Sequence, residues 1–425
     1  MAGSRLRSIV GGSAGNLVEW YDWYVYSAFT LYFAPVIFPK ASPTAQLLNA
    51  AAIFAVGFLM RPIGAWAMGV YSDRHGRKAG LTLSVTLMCA GSFLIAVTPS
   101  YAAIGWGAPA LLVIARMMQG LSVGGEYGAS AVYLSEMAMR GRRGFWASFQ
   151  YVTLIGGQLA ALGVLIVLQA LVDEPALESW GWRVPFAIGG LLAIGVFRLR
   201  RGLMETESFR NAAADAGGTP RSSGLALFRD HPRSAWAVMA LTAGGTLAFY
   251  AYTTYMQKFL VNTSGFDRTT ASRVMTVALA IYALLQPVAG ALSDRIGRRA
   301  TMIGFGVLGV AGTVPLFVTL EGTRDPVVAG ALIVAALAAL SGYTAISGLV
   351  KAEMFPAHIR TLGVALPYAL ANTLFGGSAE YLALWFKDIG HERWFYWYVT
   401  AMIGVSLVTY WRMRDTRDHS EIVEG

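Results

Sequence analysis

The sequence has one cysteine, Cys89, in 425 residues. No disulfide can close within the chain, which excludes a cystine-stapled secreted scaffold. Its five histidines, at positions 75, 231, 358, 391 and 419, are scattered, so they form no metal or nucleophile cluster of the kind a membrane enzyme needs. No Gly-Lys-Ser/Thr follows a glycine-rich turn, which removes an ATP-driven pump. Charge is scarce as well: Asp, Glu, Lys and Arg make up 13% of the chain, against about 25% in soluble domains. What is plentiful is apolar: 56% hydrophobic residues, 48 Gly, 12 Trp and a mean hydropathy of +0.52. That balance places the chain in a lipid bilayer. A net charge of +9 would suit nucleic acid. The arginines, however, are dispersed between apolar runs, the pattern of positive loops at a membrane, so no nucleic-acid partner is expected.

A helix needs about 20 apolar residues to cross roughly 30 Å of hydrocarbon. Twelve candidate spans meet that length, near 13–38, 46–70, 79–98, 110–137, 145–171, 183–199, 234–260, 270–292, 300–320, 327–352, 361–386 and 394–412. Positive charge orients them. One set of alternate loops collects Arg74, Arg77, Lys78, Arg142, Arg143, Arg200, Arg201, Arg295, Arg298, Arg299 and Arg414; the other set holds Lys40, Arg324, Lys387 and Arg393. Both termini are therefore expected in the cytoplasm. The first apolar segment carries Glu19 and Asp22 and lacks a small-residue cleavage site, so it is expected to remain as the first helix. The longest polar stretch, 202–232, is rich in Gly, Ser and mixed charge and reads as a linker between a unit at 1–201 and another at 233–425.

The two units repeat each other. Gly69-Val-Tyr-Ser-Asp73-Arg74-His75-Gly76-Arg77-Lys78 follows the second span, and Gly290-Ala-Leu-Ser-Asp294-Arg295-Ile296-Gly297-Arg298-Arg299 follows the eighth. Asp73 and Asp294 are 221 apart (294 minus 73), and Glu136 and Glu353, after the fourth and tenth spans, are 217 apart (353 minus 136). Two features at nearly one offset indicate a duplicated six-helix unit, joined in parallel by a long loop.

Ionisable residues inside a bilayer are costly and are functional candidates by default. Here they are Glu19 and Asp22 on the first span, Arg61 on the second, Arg116 and Glu126 on the fourth and Glu380 on the eleventh. At about 1.5 Å rise per residue, Asp22, Arg61 and Glu126 fall at one depth, with Arg116 displaced roughly 10 Å to the outer side. Two readings stay open: Arg61 neutralises Asp22 or Glu126 and locks the first unit together, or an acid among Glu19, Asp22 and Glu126 carries a proton and releases its arginine. The depths favour Arg61 over Arg116 as the acid's partner. Gly120, Gly124 and Gly128 recur every four residues on the fourth span, a spacing that lets helices approach closely in lipid and marks packing rather than a phosphate loop.

The GxxxDRxGRK/R loops, in register in both halves, and Glu353-Met-Phe-Pro-Ala-His-Ile-Arg360 resemble the motifs of the major facilitator superfamily. GNLVEWYDWYVYS (15–27), RMMQGLSVGGEYGASAVYLSE (116–136) and FGGSAEYLAL (375–384) are similar to the metabolite–proton symporter family, and within it to the bacterial α-ketoglutarate permeases. The resemblance runs from the first span to the twelfth. It implies an all-α membrane protein of two pseudo-symmetric six-helix bundles, a monomer in the bacterial inner membrane. The implied function is no enzyme's: it is proton-coupled import of 2-oxoglutarate or a related dicarboxylate by alternating access, with protons as coupling ion and no other cofactor or metal. Another metabolite (citrate, shikimate or a zwitterionic solute) and a non-transporting nutrient sensor are the alternatives.

A dicarboxylate needs cationic and hydrogen-bonding groups near the midplane. Arg61 and Arg116 come first because a guanidinium matches a carboxylate bidentately. Tyr24, Gln158, Tyr250 and Asn372 are the uncharged candidates. Lys258, placed near the outer end of the seventh span, is expected either to snorkel to the interface or to meet incoming substrate. Lys351 is expected to join the loop network. Asp73 and Arg77 with Glu136 and Arg140, and Asp294 and Arg298 with Glu353 and Arg360, resemble the charged latch that closes such transporters on the cytoplasmic side.

Overall fold

The computed structural model describes residues 2–75, 77–124, 127, 131–132, 134–135, 141–201, 224–356 and 359–422. Among them every regular element is helical. The reason is the solvent: hydrocarbon offers no partner to a backbone N–H or C=O, so a crossing segment must satisfy its own hydrogen bonds. The crossing helices are α1 (Ala2–Ile37), α2 (Pro43–His75), α3 (Arg77–Val97), α4 (Gly107–Val123), α5 (Arg143–Leu171) and α6 (Val184–Arg201). The second set is α7 (Pro232–Asn262), α8 (Arg268–Ile296), α9 (Arg298–Gly322) and α10 (Pro326–Glu353), followed by α11, built from Arg360–Ala371, Asn372–Gly376 and Gly377–Asp388, and α12 (Arg393–Arg412). The expected spans and these helices agree to within a few residues where both are described, except that α1 begins at Ala2, eleven residues before the expected start at 13.

Polar punctuation sets the ends. Asp173, Asp267 and Asp325 each cap a helix, accepting from Ala176 N at 3.0 Å, Thr270 N at 2.8 Å and Val327 N at 2.7 Å. Such caps each stabilise a helix start by about 1 kcal/mol. All three stand at the end of the bundle opposite the 202–232 connection. At the connection end, Gly297 (φ +99°) breaks α8 from α9 in a conformation that disfavours a side chain. Twelve crossings bring both chain ends to one side. There the segment after α12 folds back, with Asp415 accepting from Arg298 N (3.1 Å) and Glu421 N donating to Glu353 O (2.9 Å).

The outside of the bundle is apolar and exposed, as at Trp66 (72%), Leu284 (75%) and Val327 (77%). In water this would be a liability; against acyl chains it is the expected finish, and the chain is a multi-pass membrane protein. Inside, α2 and α4 pack almost backbone to backbone. A Cβ on Gly120 would stand 2.8 Å from Met60 Cβ and still closer to the Gly57 carbonyl, and one on Gly124 would stand 2.6 Å from Ala65 N. Gly120 and Gly124 of the four-residue glycine repeat therefore form a packing seam, while Gly128 lies outside the described residues, and the seam brings Arg61 on α2 and Arg116 on α4 to the same tryptophan. The halves touch along α2 against α11 and α5 against α8, and Thr373 Oγ1 donates to Phe58 O at 2.8 Å across the first seam.

Gly120→Ala is expected to lower the thermal unfolding midpoint of the purified protein, because the overlap costs about 1–3 kcal/mol. Gly156→Ala on α5, whose Cβ would meet only Leu17 Cδ1 at 3.7 Å, serves as the control and should leave the midpoint unchanged or raised. Equal midpoints for the two variants would contradict the seam.

Candidate functional site

The centre of the molecule is organised by Trp23 of α1. The Arg61 guanidinium lies 4.0 Å from its ring centroid and the Arg116 guanidinium 4.1 Å. Phe58 adds a second ring to Arg61 at 4.3 Å, and Tyr26 adds one to Arg116 at 4.6 Å. Aromatic faces attract a desolvated cation by about 2 kcal/mol or more, but they leave the N–H groups unused. Arg61 is 4% exposed and Arg116 0%. The Nε and Nη2 groups of both have no hydrogen-bond partner among the described residues. Unpaired buried donors cost about 1–3 kcal/mol apiece, and more when charged. Two adjacent forks left open are thus an expensive arrangement that an anion would relieve.

Asp22 stands one step away. Its Oδ2 accepts from Gln119 Nε2 at 2.7 Å, and its Oδ1 accepts from the Ser92 hydroxyl. The other end of the same amide, Gln119 Oε1, accepts from Arg116 Nη1 at 2.8 Å. The acid and the arginine are therefore linked through an amide rather than paired directly. This corrects the depth argument, which favoured Arg61 as the partner of Asp22. Depth alone ignores rotation about the helix axis, and Trp23 takes up Arg61 instead. Gln119 and Ser92 were not singled out from the sequence. The usable signal was a lone amide three residues beyond Arg116, on the same face of an apolar helix.

The uncharged candidates gather around this pair. Tyr250 packs edge-on against Phe58 (5.2 Å) and sits among Tyr24, Arg61 and Asn372. Gln158 Oε1 is buried without a partner among the described residues, while Tyr24 and Asn372 stand within reach of the Tyr250 hydroxyl. Tyr24 and Gln158 line a small cavity with Ser27, Thr253, Thr254 and Gln257. Glu19 is buried on α1; Glu126 lies outside the described residues.

Lys258 is not at the interface. It is fully buried, donating to Glu380 Oε2 of α11 at 2.9 Å and to Ser27 Oγ of α1 at 2.5 Å. The expectation of snorkelling fails because the π-helical segment Ala251–Tyr255 precedes it and turns the last stretch of α7 inward. Lys351 also differs from expectation. It joins no loop carboxylate among the described residues and rests against Tyr368 (4.4 Å), Tyr127 (5.4 Å) and Tyr343 (5.8 Å).

At the connection end, Asp294 of α8 reaches the other half. It accepts from Gly144 N (2.8 Å) and Phe145 N (3.0 Å), the free amides at the start of α5, while pairing with Arg298 at 2.7 Å. A carboxylate on a helix N-terminus is favoured both by the open N–H groups and by the helix dipole. Arg298 extends the chain to Glu353 at 3.9 Å, and Arg360 donates to the carbonyls of Phe355 (3.0 Å) and Glu421 (2.7 Å). The sequence reading missed the part played by the tail: Thr416 donates to Glu353 Oε2 at 2.6 Å. Glu136 and Arg140, and the side chains of Asp73 and Arg77, lie outside the described residues. The opposite end is clasped too, by Gln169 to Ser272 (3.4 Å) and Arg268 to Glu178 (2.5 Å).

Residues 9–212 match the family model of sugar (and other) transporters, and residues 257–424 match that of the major facilitator superfamily. The chain is 54% identical over 404 residues to the α-ketoglutarate permease of Escherichia coli, covering 95% of this chain and 92% of the relative. It is 35% identical to a citrate–proton symporter of Klebsiella pneumoniae (88% and 84% covered) and 31% to a proline/betaine transporter of Salmonella typhimurium (97% and 84%). In fold it is similar to the xylose transporter XylE of E. coli in a partially occluded inward-open conformation, with TM-score 0.74 at 19% identity over 95% of this chain and 96% of that one.

Asp294→Ala should speed hydrogen–deuterium exchange in a peptide covering 142–148, because two amides lose their acceptor, with a smaller increase for Asp294→Asn. Exchange unchanged in both would remove Asp294 from the contact between the halves.

Proposed function

Because the chain belongs to the major facilitator superfamily, we propose that it is a secondary active transporter importing 2-oxoglutarate, or a close dicarboxylate, together with protons. One observation carries this reading: the open guanidinium forks of Arg61 and Arg116, buried side by side against Trp23. A guanidinium binds a carboxylate with two parallel hydrogen bonds, and in a site closed to water those bonds are at their strongest. Tyr24, Tyr250, Gln158 and Asn372 supply hydrogen-bonding groups to a keto oxygen and a chain of this size. The name of the relative at 54% identity supports this substrate over the citrate and proline/betaine named in relatives at 35% and 31%.

The link from Asp22 through Gln119 to Arg116 supports the coupling. With Asp22 ionised, its charge offsets that of Arg116 through the shared amide. A proton on Asp22 removes that offset, so the arginine pair gains net positive charge and holds a dianion more tightly. Glu19 and Glu126 complete the set of acids from which the proton route is drawn. Proton and substrate thus promote each other's binding, which is reciprocal by thermodynamic necessity. Coupling is also an energetic requirement. Moving a dianion into an inside-negative cell costs about 2.3 kcal/mol per charge per 100 mV, or roughly 4.6 kcal/mol.

The end bearing the connection and the tail is read as cytoplasmic from its arginines, with both termini inside the inner membrane. The units 1–201 and 233–425, joined by 202–232, would then rock about the central site as one monomer in the lipid bilayer. Asp294 and Arg298 with Glu353 and Arg360 would act as the inner latch, with Asp73, Arg77, Glu136 and Arg140 as its counterpart in the first half.

Proteoliposomes should accumulate labelled 2-oxoglutarate under an inward proton gradient and lose it when the gradient collapses. Asp22→Asn should abolish gradient-driven accumulation while leaving exchange; normal accumulation in that variant would remove Asp22 from the coupling. Uptake of citrate or betaine in place of 2-oxoglutarate would reassign the substrate, and binding without any flux would indicate a sensor. Arg116→Lys should raise the KM for 2-oxoglutarate about tenfold, since an ammonium cannot make the bidentate contact; an unchanged KM would exclude direct contact.

A further inference from the structure

Two helices of the second half each carry one π-helical segment, Ala251–Tyr255 in α7 and Asn372–Gly376 in α11. Lys258 comes three residues after the first, and Glu380 four residues after the second. A π turn takes in one extra residue, which rotates the remainder of the helix by about 100°. Both rotations serve one contact, the buried pair of Lys258 with Glu380 at 2.9 Å, whose side chains are 0% and 4% exposed. Such a pair gains little net stability, because desolvation offsets the Coulomb attraction. Two distorted helices are a large investment for it unless the pair has a task.

Its surroundings indicate the task. The ammonium has three N–H groups, and one of them binds Ser27 of α1, whose side chain lines the central cavity. Ser27 is the neighbour in sequence of Tyr26, the ring on which Arg116 rests at 4.6 Å. Tyr26 in turn lies near Glu380. The Lys258–Glu380 pair thus lies one side chain, Tyr26, away from Arg116, and it reaches there from the opposite half of the molecule with a carboxylate already in hand.

We propose that Glu380 is an internal stand-in for the distal carboxylate of the substrate. In the empty protein it occupies Lys258; an arriving dicarboxylate displaces it while its other carboxylate binds Arg116 and Arg61. Lys258 is then the residue that distinguishes a dicarboxylate from a monocarboxylate, and Glu380 sets the affinity by competing. The exchange keeps a carboxylate on the ammonium throughout, and the displaced Glu380 carboxylate takes up one of the co-transported protons, so neither Lys258 nor Glu380 is left as an isolated buried charge. This inference rests on the dicarboxylate reading of the site given above.

The test compares binding of 2-oxoglutarate with that of 2-oxopentanoate, which carries a methyl group in place of the distal carboxylate, by calorimetry on purified protein. Wild type should prefer 2-oxoglutarate by at least about tenfold, the scale of one lost charge-assisted bond. Glu380→Gln should tighten 2-oxoglutarate several-fold and leave 2-oxopentanoate unchanged. The double variant Lys258→Gln/Glu380→Gln keeps the site neutral, which avoids burying a lone Glu380, and should bind the two acids about equally. A Glu380→Gln variant with wild-type affinity for both, or a double variant that keeps the preference, would overturn the inference while leaving the transport assignment intact. Wild type binding neither acid would overturn both.

Discussion

Two guanidiniums buried at the centre of a membrane protein are among the most demanding groups a fold can hold, and here both lie against one tryptophan. Everything near the midplane is arranged around that constraint. Trp23, Phe58 and Tyr26 give the cations the only attraction an apolar environment offers without neutralising them. The glycine seam between α2 and α4 allows the two arginines to stand close enough to act as a pair. Gln119 holds Asp22 at one remove, so its charge is felt but occupies a single N–H of Arg116. A direct ion pair would have been more stable and would have left less for a ligand to bind. The site is kept incomplete, and the stability forgone there is available to substrate binding.

The two ends of the bundle are closed by different chemistry. At the connection end, Asp294 is shared between a helix N-terminus of the first half and Arg298 of its own half, with Glu353 and the tail behind them. These groups are nearly buried. At the opposite end, Arg268 is 25% exposed and its partners Glu174 and Glu178 are 62% and 38% exposed. Exposed pairs of this kind contribute about 0–1 kcal/mol and weaken in salt. The contacts between the halves are therefore firmer at the connection end than at the opposite end.

The parts of this architecture that were legible in the sequence are those that lipid or duplication imposes. Hydrocarbon thickness fixes helix length, so twelve spans could be marked to within a few residues. The doubled Asp73/Asp294 motif exposed the two halves, and the cost of intramembrane charge identified Arg61, Arg116 and Asp22. What could not be read was which way each side chain turns. Lys258 was placed at an interface because no pattern in YTTYMQK betrays a π turn. Gln119 was overlooked because an amide carries no charge to draw notice, and Trp23 because one aromatic among many in α1 has no distinguishing mark. The folding-back of Asp415 and Thr416 joins residues more than 60 positions apart from Glu353 and Arg298, with no repeat to announce it.

The charge balance of the core bears on how the cycle runs. Counted at formal charge from the sequence, with Glu126 outside the described residues, Arg61, Arg116, Lys258 and Lys351 contribute four positive charges, and Glu19, Asp22, Glu126 and Glu380 four negative ones, for a total of zero. An empty carrier with that sum can pass from one closed state to the other without moving net charge through the membrane potential. Adding a dianion brings the total to minus two, which the low-dielectric interior resists and the potential opposes. Protonation of one acid returns half of that charge, and protonation of two restores neutrality. The loaded and empty carriers then face the same electrical barrier only if two of the four acids load with the substrate.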